Sequence, residues 1–175
     1  MQRFQIFHMD TPIRKDLYHK MISFINALKI EDNAQGIYLY GPYQAGKTYA
    51  LAALANQCSA IGKSVIITYY PDLVRELKSS IKTGTLESRI SALKNVDILM
   101  LDDIGGESQS PWVRDEILGP ILQHRLLDHK PTFFTSNLHL NDLAKTLADS
   151  KEQSEQIKAY RIIERIKALT EPFKL

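Results

Sequence analysis

The sequence predicts an α/β fold in which a parallel sheet carries helices on both faces. Short apolar runs alternate along the chain with longer amphipathic segments, and the first of these runs leads straight into a glycine-containing turn. A later run ends in two consecutive aspartates. Strands that alternate with helices favour parallel pairing and right-handed crossovers, and ligands then bind at the carboxyl ends of the strands.

The order of the elements follows from local signals. Thr11 and Pro12 are typical of a helix start, since a hydroxyl caps free N–H groups and proline fits the first turn. The helix that opens there has apolar residues at helical spacing, namely Leu17, Met21, Phe24, Ile25 and Leu28. Further helices are expected at residues 49–61, 71–82, 86–94, 111–129, 141–147 and 156–169. Strands are expected at residues 37–40, 64–70, 96–104, 132–136 and 172–175, and the polar stretch 149–155 as a mobile loop or frayed helix start.

The composition bounds the number of domains and the class of protein. A chain of 175 residues that is 44% apolar can bury one core and is too short for two typical domains. The formal net charge of +2 means that any nucleic-acid contact must come from a local basic strip. The single cysteine, Cys58, excludes an internal disulfide and a cysteine-rich zinc site. Because the sequence has no apolar run of about 18 residues and no signal-peptide pattern, we expect one soluble, cytoplasmic domain over residues 1–175.

The most specific motif is a phosphate loop. Residues 41–48 read GPYQAGKT, a complete match to the pattern GxxxxGK[ST], and they lie between a predicted strand and a predicted helix. In such a loop backbone N–H groups face the phosphates, the lysine adds a positive charge, and the threonine offers a hydroxyl to magnesium. A glycine turn that opens an ordinary helix is the alternative. The expected nucleotide contacts are Gly41, Pro42, Tyr43, Gln44, Ala45, Gly46, Lys47, Thr48 and Tyr49.

Polar residues follow two of the later strands. Asp102 is the expected magnesium partner of Thr48, and Asp103 is expected to orient or deprotonate the attacking water. The alternative for the two aspartates is a strand-ending turn. Asn137 follows the next strand, where its amide can hold the water or contact the terminal phosphate, or can instead cap the following turn.

Two groups of cations have open interpretations. Arg161 and Arg165 lie four residues apart on one helix and can act in trans on a neighbour's phosphate, or form solvated ion pairs with Glu164 or Glu155. Lys78 and Lys82, with Trp112 farther along the chain, can form a basic groove with an aromatic side chain for single-stranded nucleic acid. A solvated helix face and an anchoring tryptophan fit these residues as well.

Four segments taken together resemble the AAA+ domain of bacterial replicative helicase loaders of the DnaC/DnaI type, most closely the DnaI branch. They are residues 41–48, 98–105, 131–137 and 160–166, and they span nearly the whole chain in the family's order. The resemblance implies a P-loop AAA+ three-layer sandwich with five parallel strands in the order 5-1-4-3-2 and little or no C-terminal lid. It also implies that the helical pair at 71–94 is an insertion used in assembly and DNA contact.

The resemblance also assigns roles to site residues. The first two segments correspond to Walker A and Walker B, Asn137 falls at sensor 1, Arg165 falls at the arginine finger, and Arg161 lies one turn earlier. ATP and Mg²⁺ are the implied cofactors. The implied catalytic set is Lys47, Asp102, Asp103, Asn137 and Arg165.

The function implied by the resemblance is that of a helicase loader. Such a protein is a weak ATPase that self-associates through ATP, binds single-stranded DNA and helps to load the hexameric replicative helicase during replication initiation. The DNA contacts of the family align with Lys78, Ile81, Ser110 and Trp112, and Ile81 departs from the aromatic residue found there.

Two further departures from the family pattern shape these expectations. Full loaders carry an amino-terminal helicase-binding domain, with zinc-binding cysteines in the DnaI branch. The sequence contains neither, so we expect an excised or reduced protein. Many AAA+ proteins have glutamate where this chain has Asp103, although the loaders share the aspartate. The shorter carboxylate predicts slow hydrolysis and the use of ATP as a switch.

Other functions remain open from the sequence. A transposition helper ATPase of the IstB type shares the same segments. A small-molecule kinase on the same loop needs an acceptor pocket and a basic lid, which no segment marks, and a scaffold that binds nucleotide without hydrolysis is a third possibility. Ile6, Phe7 and the first helix are candidates for the base site, with ordinary core packing as the alternative.

Overall fold

The computed structural model describes residues 10–31, 34–106 and 110–175. Its strands are β1 (Gly36–Tyr40), β2 (Val65–Tyr69), β3 (Ile98–Asp102), β4 (Thr132–Ser136) and β5 (Thr170–Lys174). Its α-helices are α1 (Pro12–Ile30), α2 (Lys47–Ala60), α3 (Tyr70–Thr83), α4 (Leu86–Asn95), α5 (Gly119–Leu127), α6 (Leu140–Ala148) and α7 (Gln153–Leu169). Across these ranges, none of the helices combines the length and apolar character that crossing a membrane requires.

The strands form one sheet in the order β2-β3-β4-β1-β5, and every neighbouring pair is parallel. Read from the other edge, this is the predicted order 5-1-4-3-2, which is therefore confirmed. The register pairs Tyr69 with Asp102 and Tyr40 with Ser136. The carboxyl ends of β1 to β4 consequently meet at one edge of the sheet.

Alternate strand residues divide between two apolar layers. In β3, Leu99 and Leu101 face the core formed with α3 to α7, whereas Ile98 and Met100 face the core formed with α1 and α2. Because successive side chains of a strand point to opposite faces, an unbroken apolar strand is the pattern of a sheet covered on both sides. The three-layer arrangement is thus a direct result of the sequence of β3.

The first helix agrees closely with its prediction. The hydroxyl oxygen of Thr11 accepts a hydrogen bond from the Arg14 backbone N–H at 3.2 Å, so the expected cap is present. The apolar residues predicted to share one face are all buried, namely Leu17, Met21, Phe24, Ile25 and Leu28. This face fixes α1 beside α2, which carries the end of the phosphate loop.

Several element boundaries differ from the predicted ones. Tyr70, predicted as the last residue of a strand, is instead the first residue of α3, and Pro71 occupies the first turn of that helix, where no N–H donor is required. The chain therefore passes directly from Tyr69 in β2 into the helix. Helix α7 begins at Gln153, so the end of the stretch predicted as a loop or frayed helix start is helical, and β5 begins at Thr170 rather than at residue 172.

The long helix predicted at residues 111–129 contains a π-helical segment, Val113–Leu118, before α5. The Gly119 N–H donates to the Arg114 carbonyl five residues earlier, and Pro120 has no N–H to donate. Pro120 thus interrupts the α-helical hydrogen-bond pattern just after the π-helical segment. Arg114 is 3% exposed, and its Nη1 donates to the Leu147 carbonyl at 2.9 Å, which ties this segment to α6.

Candidate nucleotide-binding site

A cavity of about 350 Å³ opens at the carboxyl edge of the sheet, beside the start of α2. It brings together most of the predicted site residues from three separate parts of the chain. Its lining consists of Tyr43, Gln44, Ala45, Gly46, Lys47, Thr48, Tyr49, Tyr69, Asp102, Asp103, Thr135 and Asn137.

The loop between β1 and α2 has the backbone shape that a phosphate loop requires. Gly46 immediately precedes α2 with φ +96°, a left-handed conformation that glycine adopts without a steric penalty. Its carbonyl accepts the first helical hydrogen bond, from the Ala50 N–H at 3.0 Å. The free backbone N–H groups at the start of α2 and the positive end of its helix dipole suit the binding of an anion.

Lys47 is 8% exposed and lies against the loop from which it comes. Its Nζ donates to the carbonyl oxygens of Gly41 at 2.9 Å and Pro42 at 2.7 Å. Burial lowers the pKa of Lys47, while the charges of Asp103 and Asp102 act in the opposite direction. The ammonium group is therefore held between the loop and the acidic end of β3.

Thr48 and Asp102 form the most direct link between the loop and β3. The Thr48 hydroxyl lies 3.1 Å from each carboxylate oxygen of Asp102, and the Thr135 hydroxyl donates to the same carboxylate. Since Thr48 gives its proton to Asp102, its oxygen lone pairs stay available. This set of hard oxygen ligands fits Mg²⁺, with Thr48 and Asp102 as the residues that would hold it.

Asp103 adopts φ +60°, an uncommon conformation for a residue other than glycine. Its N–H donates to the Thr135 hydroxyl at 2.8 Å. A Cβ atom at Gly106 would lie 2.8 Å from Asp103 Oδ2, so the carboxylate would have to shift if a side chain stood there. Desolvation raises the pKa of Tyr69, and the charge of Asp103 and a hydrogen bond between the two side chains raise it further. The phenol and the carboxylate are therefore close together. Asp103 is thus a constrained carboxylate at the mouth of the cavity.

Asn137 lies just after β4 and is exposed toward the cavity. The alternative of a helix cap does not apply to it, because His139 occupies the cap position of α6. The His139 Nδ1 accepts a hydrogen bond from the Asn141 N–H at 3.2 Å. The amide of Asn137 therefore lies among the cavity residues rather than at the helix start.

Arg161 and Arg165 do not lie in the cavity. Both are on α7, which packs on the other face of the sheet from α2, and Arg161 is exposed. Arg165 is half-buried, and its Nε donates to Gln123 Oε1 of α5 at 3.1 Å. The carboxylates considered as alternative partners have other cations, since Glu164 pairs with Lys167 at 3.4 Å and Glu155 with Arg114 at 2.6 Å.

Two of the candidate DNA residues, Lys78 and Trp112, lie next to residues that line one small apolar cavity. Leu77 of α3 and Val113 of the π-helical segment line the same small apolar cavity, and their sequence neighbours are Lys78 and Trp112. Exposed side chains on these two segments are Lys78, Ile81, Lys82 and Trp112. Nearby cations are neutralised in part, because Arg75 pairs with Asp72 and Arg89 pairs with Glu76. Ser110 caps the helix start, where its hydroxyl accepts from the Val113 N–H at 3.3 Å.

Two cavity residues were missed by the sequence reasoning. Thr135 bridges the Asp102 carboxylate and the Asp103 N–H, and Tyr69 ends β2 in register with Asp102. Their signal was positional, since each stands at the carboxyl end of a strand that neighbours β3. The candidates for the base site, Ile6 and Phe7, lie outside the described residues.

Comparisons with known proteins place this chain among ATP-binding proteins. A model of the family described as IstB-like ATP binding protein matches residues 4–163. The chain is 40% identical over 173 residues to the replicative helicase loader DnaI of Bacillus subtilis (strain 168), covering 98% of this chain and 56% of that protein. It is 28% identical over 123 residues to the replicative helicase loader DnaC of Escherichia coli (strain K12), covering 69% of this chain and 50% of that protein.

A solved structure supports the same relationship. The crystal structure of DnaI matches with a TM-score of 0.86 and 40% identity, over 95% of this chain and 87% of that chain. The predicted resemblance to helicase loaders and the predicted AAA+ fold are therefore confirmed. The chain spans about half the length of the two relatives above. On the family match over residues 4–163, the chain belongs to the IstB-like ATP-binding protein family.

Proposed function

We propose that this chain is the ATP-hydrolysing part of a replicative helicase loader. The observation that carries the proposal is the Thr48–Asp102 contact at 3.1 Å, which joins a complete phosphate loop to an acidic strand inside one cavity. A simple glycine turn would not require a buried carboxylate opposite its threonine. The 40% identity to a helicase loader over 98% of the chain supports the choice of process.

Lys47 and the loop N–H groups bind the ATP phosphates in this proposal. The charges of Asp103 and Asp102 oppose the lowering of the Lys47 pKa by burial. Thr48 and Asp102 would hold Mg²⁺, which would supply positive charge close to the ATP phosphates. The residues of the chain thereby orient the nucleotide before any hydrolysis.

Asp103 and Asn137 prepare the attacking water. The amide of Asn137 orients it, and the carboxylate of Asp103 accepts its proton. Both residues border the cavity, and Asp103 is held through its N–H by Thr135. Because aspartate is one methylene shorter than glutamate and this one is constrained, we expect slow turnover in the isolated chain.

Arg165 acts on the ATP of a neighbouring subunit. It lies on α7, away from the cavity of its own chain, so an arginine at this position reaches phosphate only in trans. Arg161 lies one turn earlier on the exposed side of the same helix and supports the contact. Bound ATP then links two subunits, and this makes self-association dependent on nucleotide.

The partners in this proposal are the replicative helicase and single-stranded DNA. Lys78, Lys82 and Trp112 offer a basic edge and an exposed aromatic ring on two segments that pack together, and this arrangement suits stacking and phosphate contacts. Ser110 lies between Asp103 and Trp112 in the chain. A signal from bound DNA therefore has a short covalent route to the catalytic carboxylate.

The test is a binding and turnover experiment with a hexameric replicative helicase from a related bacterium. The chain is mixed with helicase and single-stranded DNA, with and without ATP, and complex formation and phosphate release are measured together. We expect an ATP-dependent complex and turnover that DNA or helicase raises. Capture of a transposase in preference to helicase would instead identify a transposition helper. Transfer of phosphate to a small acceptor would identify a kinase.

A further inference from the structure

We propose that Arg14 of α1 is a positioning residue of the nucleotide site, which orients the peptide between Ala45 and Gly46 for phosphate binding. This inference rests on the proposed ATP site. No motif in the sequence includes Arg14, which lies more than 25 residues before the phosphate loop.

The Arg14 guanidinium connects α1 to the loop. Its Nη2 donates to the Ala45 carbonyl at 3.2 Å, and its Nη1 lies 3.3 Å from Asp10 Oδ1. The α1 backbone that carries it is fixed by the Thr11 cap and by the buried face that begins at Leu17. The Arg14 guanidinium is therefore positioned by α1 and contacts the phosphate loop from outside the loop itself.

The contact with Ala45 determines where the next N–H points. In a trans peptide the carbonyl and the following N–H point in opposite directions, and this peptide is trans. Ala45 and Gly46 line the cavity, whereas Arg14 lies outside that lining. With the Ala45 carbonyl bonded toward Arg14, the Gly46 N–H is directed to the other side, where the cavity lies.

The loop needs such a support because its backbone is unusual. Gln44 has φ +63° and Gly46 has φ +96°, so Ala45 stands between two residues with left-handed backbone, and the peptide in question ends at the second of them. A peptide in this setting can rotate at low cost unless a donor fixes its carbonyl. A guanidinium serves well, because a charged donor forms a stronger hydrogen bond than a neutral one.

Removing the donors should weaken phosphate binding without unfolding the protein. Arg14→Met keeps the aliphatic stem and loses every donor, and we expect ATP affinity to fall about tenfold. Arg14→Lys keeps a charged donor, and we expect a loss of about threefold or less. Lys15→Met removes a neighbouring exposed cation and should leave the affinity unchanged.

The experiment measures Mg²⁺·ATP and tripolyphosphate affinities by calorimetry for the parent, the three variants and Lys47→Ala. Amide NMR of the nucleotide-free proteins follows the Gly46 signal, which should shift in Arg14→Met and not in Lys15→Met. Parallel losses of ATP and tripolyphosphate affinity in Arg14→Met support the inference. Arg14→Gln replaces Arg14→Met if the latter does not fold, and it should lose affinity several-fold.

Three results would overturn the inference. They are parent-like affinity in Arg14→Met or its substitute, an equal loss in Lys15→Met, and a loss for ATP without a loss for tripolyphosphate. The last result would assign Arg14 to the base rather than to the loop. A Lys47→Ala variant that binds ATP like the parent would show that the proposed site itself is wrong, which is a separate failure.

Discussion

The Thr48 hydroxyl lies 3.1 Å from both carboxylate oxygens of Asp102, and this contact joins the start of α2 to the end of β3. The two residues are far apart in the sequence and meet because β3 and β1 flank β4 in one parallel sheet. In the proposed function this pair holds the magnesium ion.

The first prediction concerns the magnesium dependence of ATP binding. Asp102→Asn and Thr48→Val should each reduce the gain in ATP affinity that Mg²⁺ gives, by about tenfold or more, because each removes an oxygen ligand or its charge. Asp97→Asn is the matched control, because Asp97 lies just before β3, at the opposite end of that strand from Asp102. Titration of ATP with Mg²⁺ and with EDTA measures the effect. A full Mg²⁺ gain in both site variants would reject the assignment.

The second prediction concerns catalysis between subunits. Arg165→Ala should bind ATP like the parent and lose at least about tenfold of the turnover stimulated by DNA or helicase, since an arginine acting in trans stabilises transition-state charge. Lys167→Ala, on the same helix, is the control. Mixing Arg165→Ala with Lys47→Ala should restore part of the activity, because one subunit then has the intact phosphate site and its neighbour the intact arginine. A mixture as inactive as its two components would contradict action in trans.

The third prediction concerns single-stranded DNA. Replacing Lys78 and Trp112 together with alanine should weaken binding by about tenfold or more at fixed salt, through the loss of one phosphate contact and one stacking surface. Fluorescence anisotropy at several salt concentrations measures both the affinity and its salt dependence. Lys151→Ala, an exposed cation on the loop before α7, should bind like the parent. Equal affinity of the double variant and the parent at matched salt would remove this surface from the account.

The fourth prediction concerns acid stability. The hydrogen bond from Arg114 holds the pKa of Asp115 below its usual value. A carboxyl group whose folded pKa is lower than its unfolded value of about 3.9 stabilises the protein above that value. This contribution disappears as the pH falls through the folded pKa. Asp115→Asn should therefore lower the Tm by a few degrees at pH 7, and the difference should close in strong acid.

Calorimetric scans from neutral to acid pH would measure this difference, with Asp16→Asn on the exposed side of α1 as the control. A constant gap between Asp115→Asn and the parent at all pH values would mean that the hydrogen bond to Arg114 is not its source.

The parts of the fold that depend on local periodicity were predicted well from the sequence. The five strands, their order and the buried face of α1 follow from apolar patterns and from the family resemblance. The π-helical segment before α5 was not predicted, although Gly119 and Pro120 interrupt the helical pattern there. Its width depends on which carbonyl the Gly119 N–H reaches, and side-chain periodicity does not carry that information.

The phosphate loop, the two aspartates and Asn137 were predicted from the sequence, whereas two other cavity residues were missed. The phosphate loop and the two aspartates form contiguous motifs. Thr135 and Tyr69 become part of the site only through the register of β4 and β2 with β3. Arg125 illustrates the same limit in the core. It is fully buried and donates to backbone carbonyls, including that of Val96 at 2.6 Å, yet nothing in its sequence context distinguishes it from a surface arginine.

The most direct test of the proposed nucleotide site is a calorimetric titration of Mg²⁺·ATP into the parent and into Lys47→Ala. Lys47 donates to two loop carbonyls, and its ammonium group interacts with the charges of Asp103 and Asp102. We predict saturable binding by the parent and a loss of about a hundredfold or more in the variant, whose Tm without nucleotide should stay close to that of the parent. Equal affinity of the two proteins for ATP would contradict the nucleotide site on which the rest of the account depends.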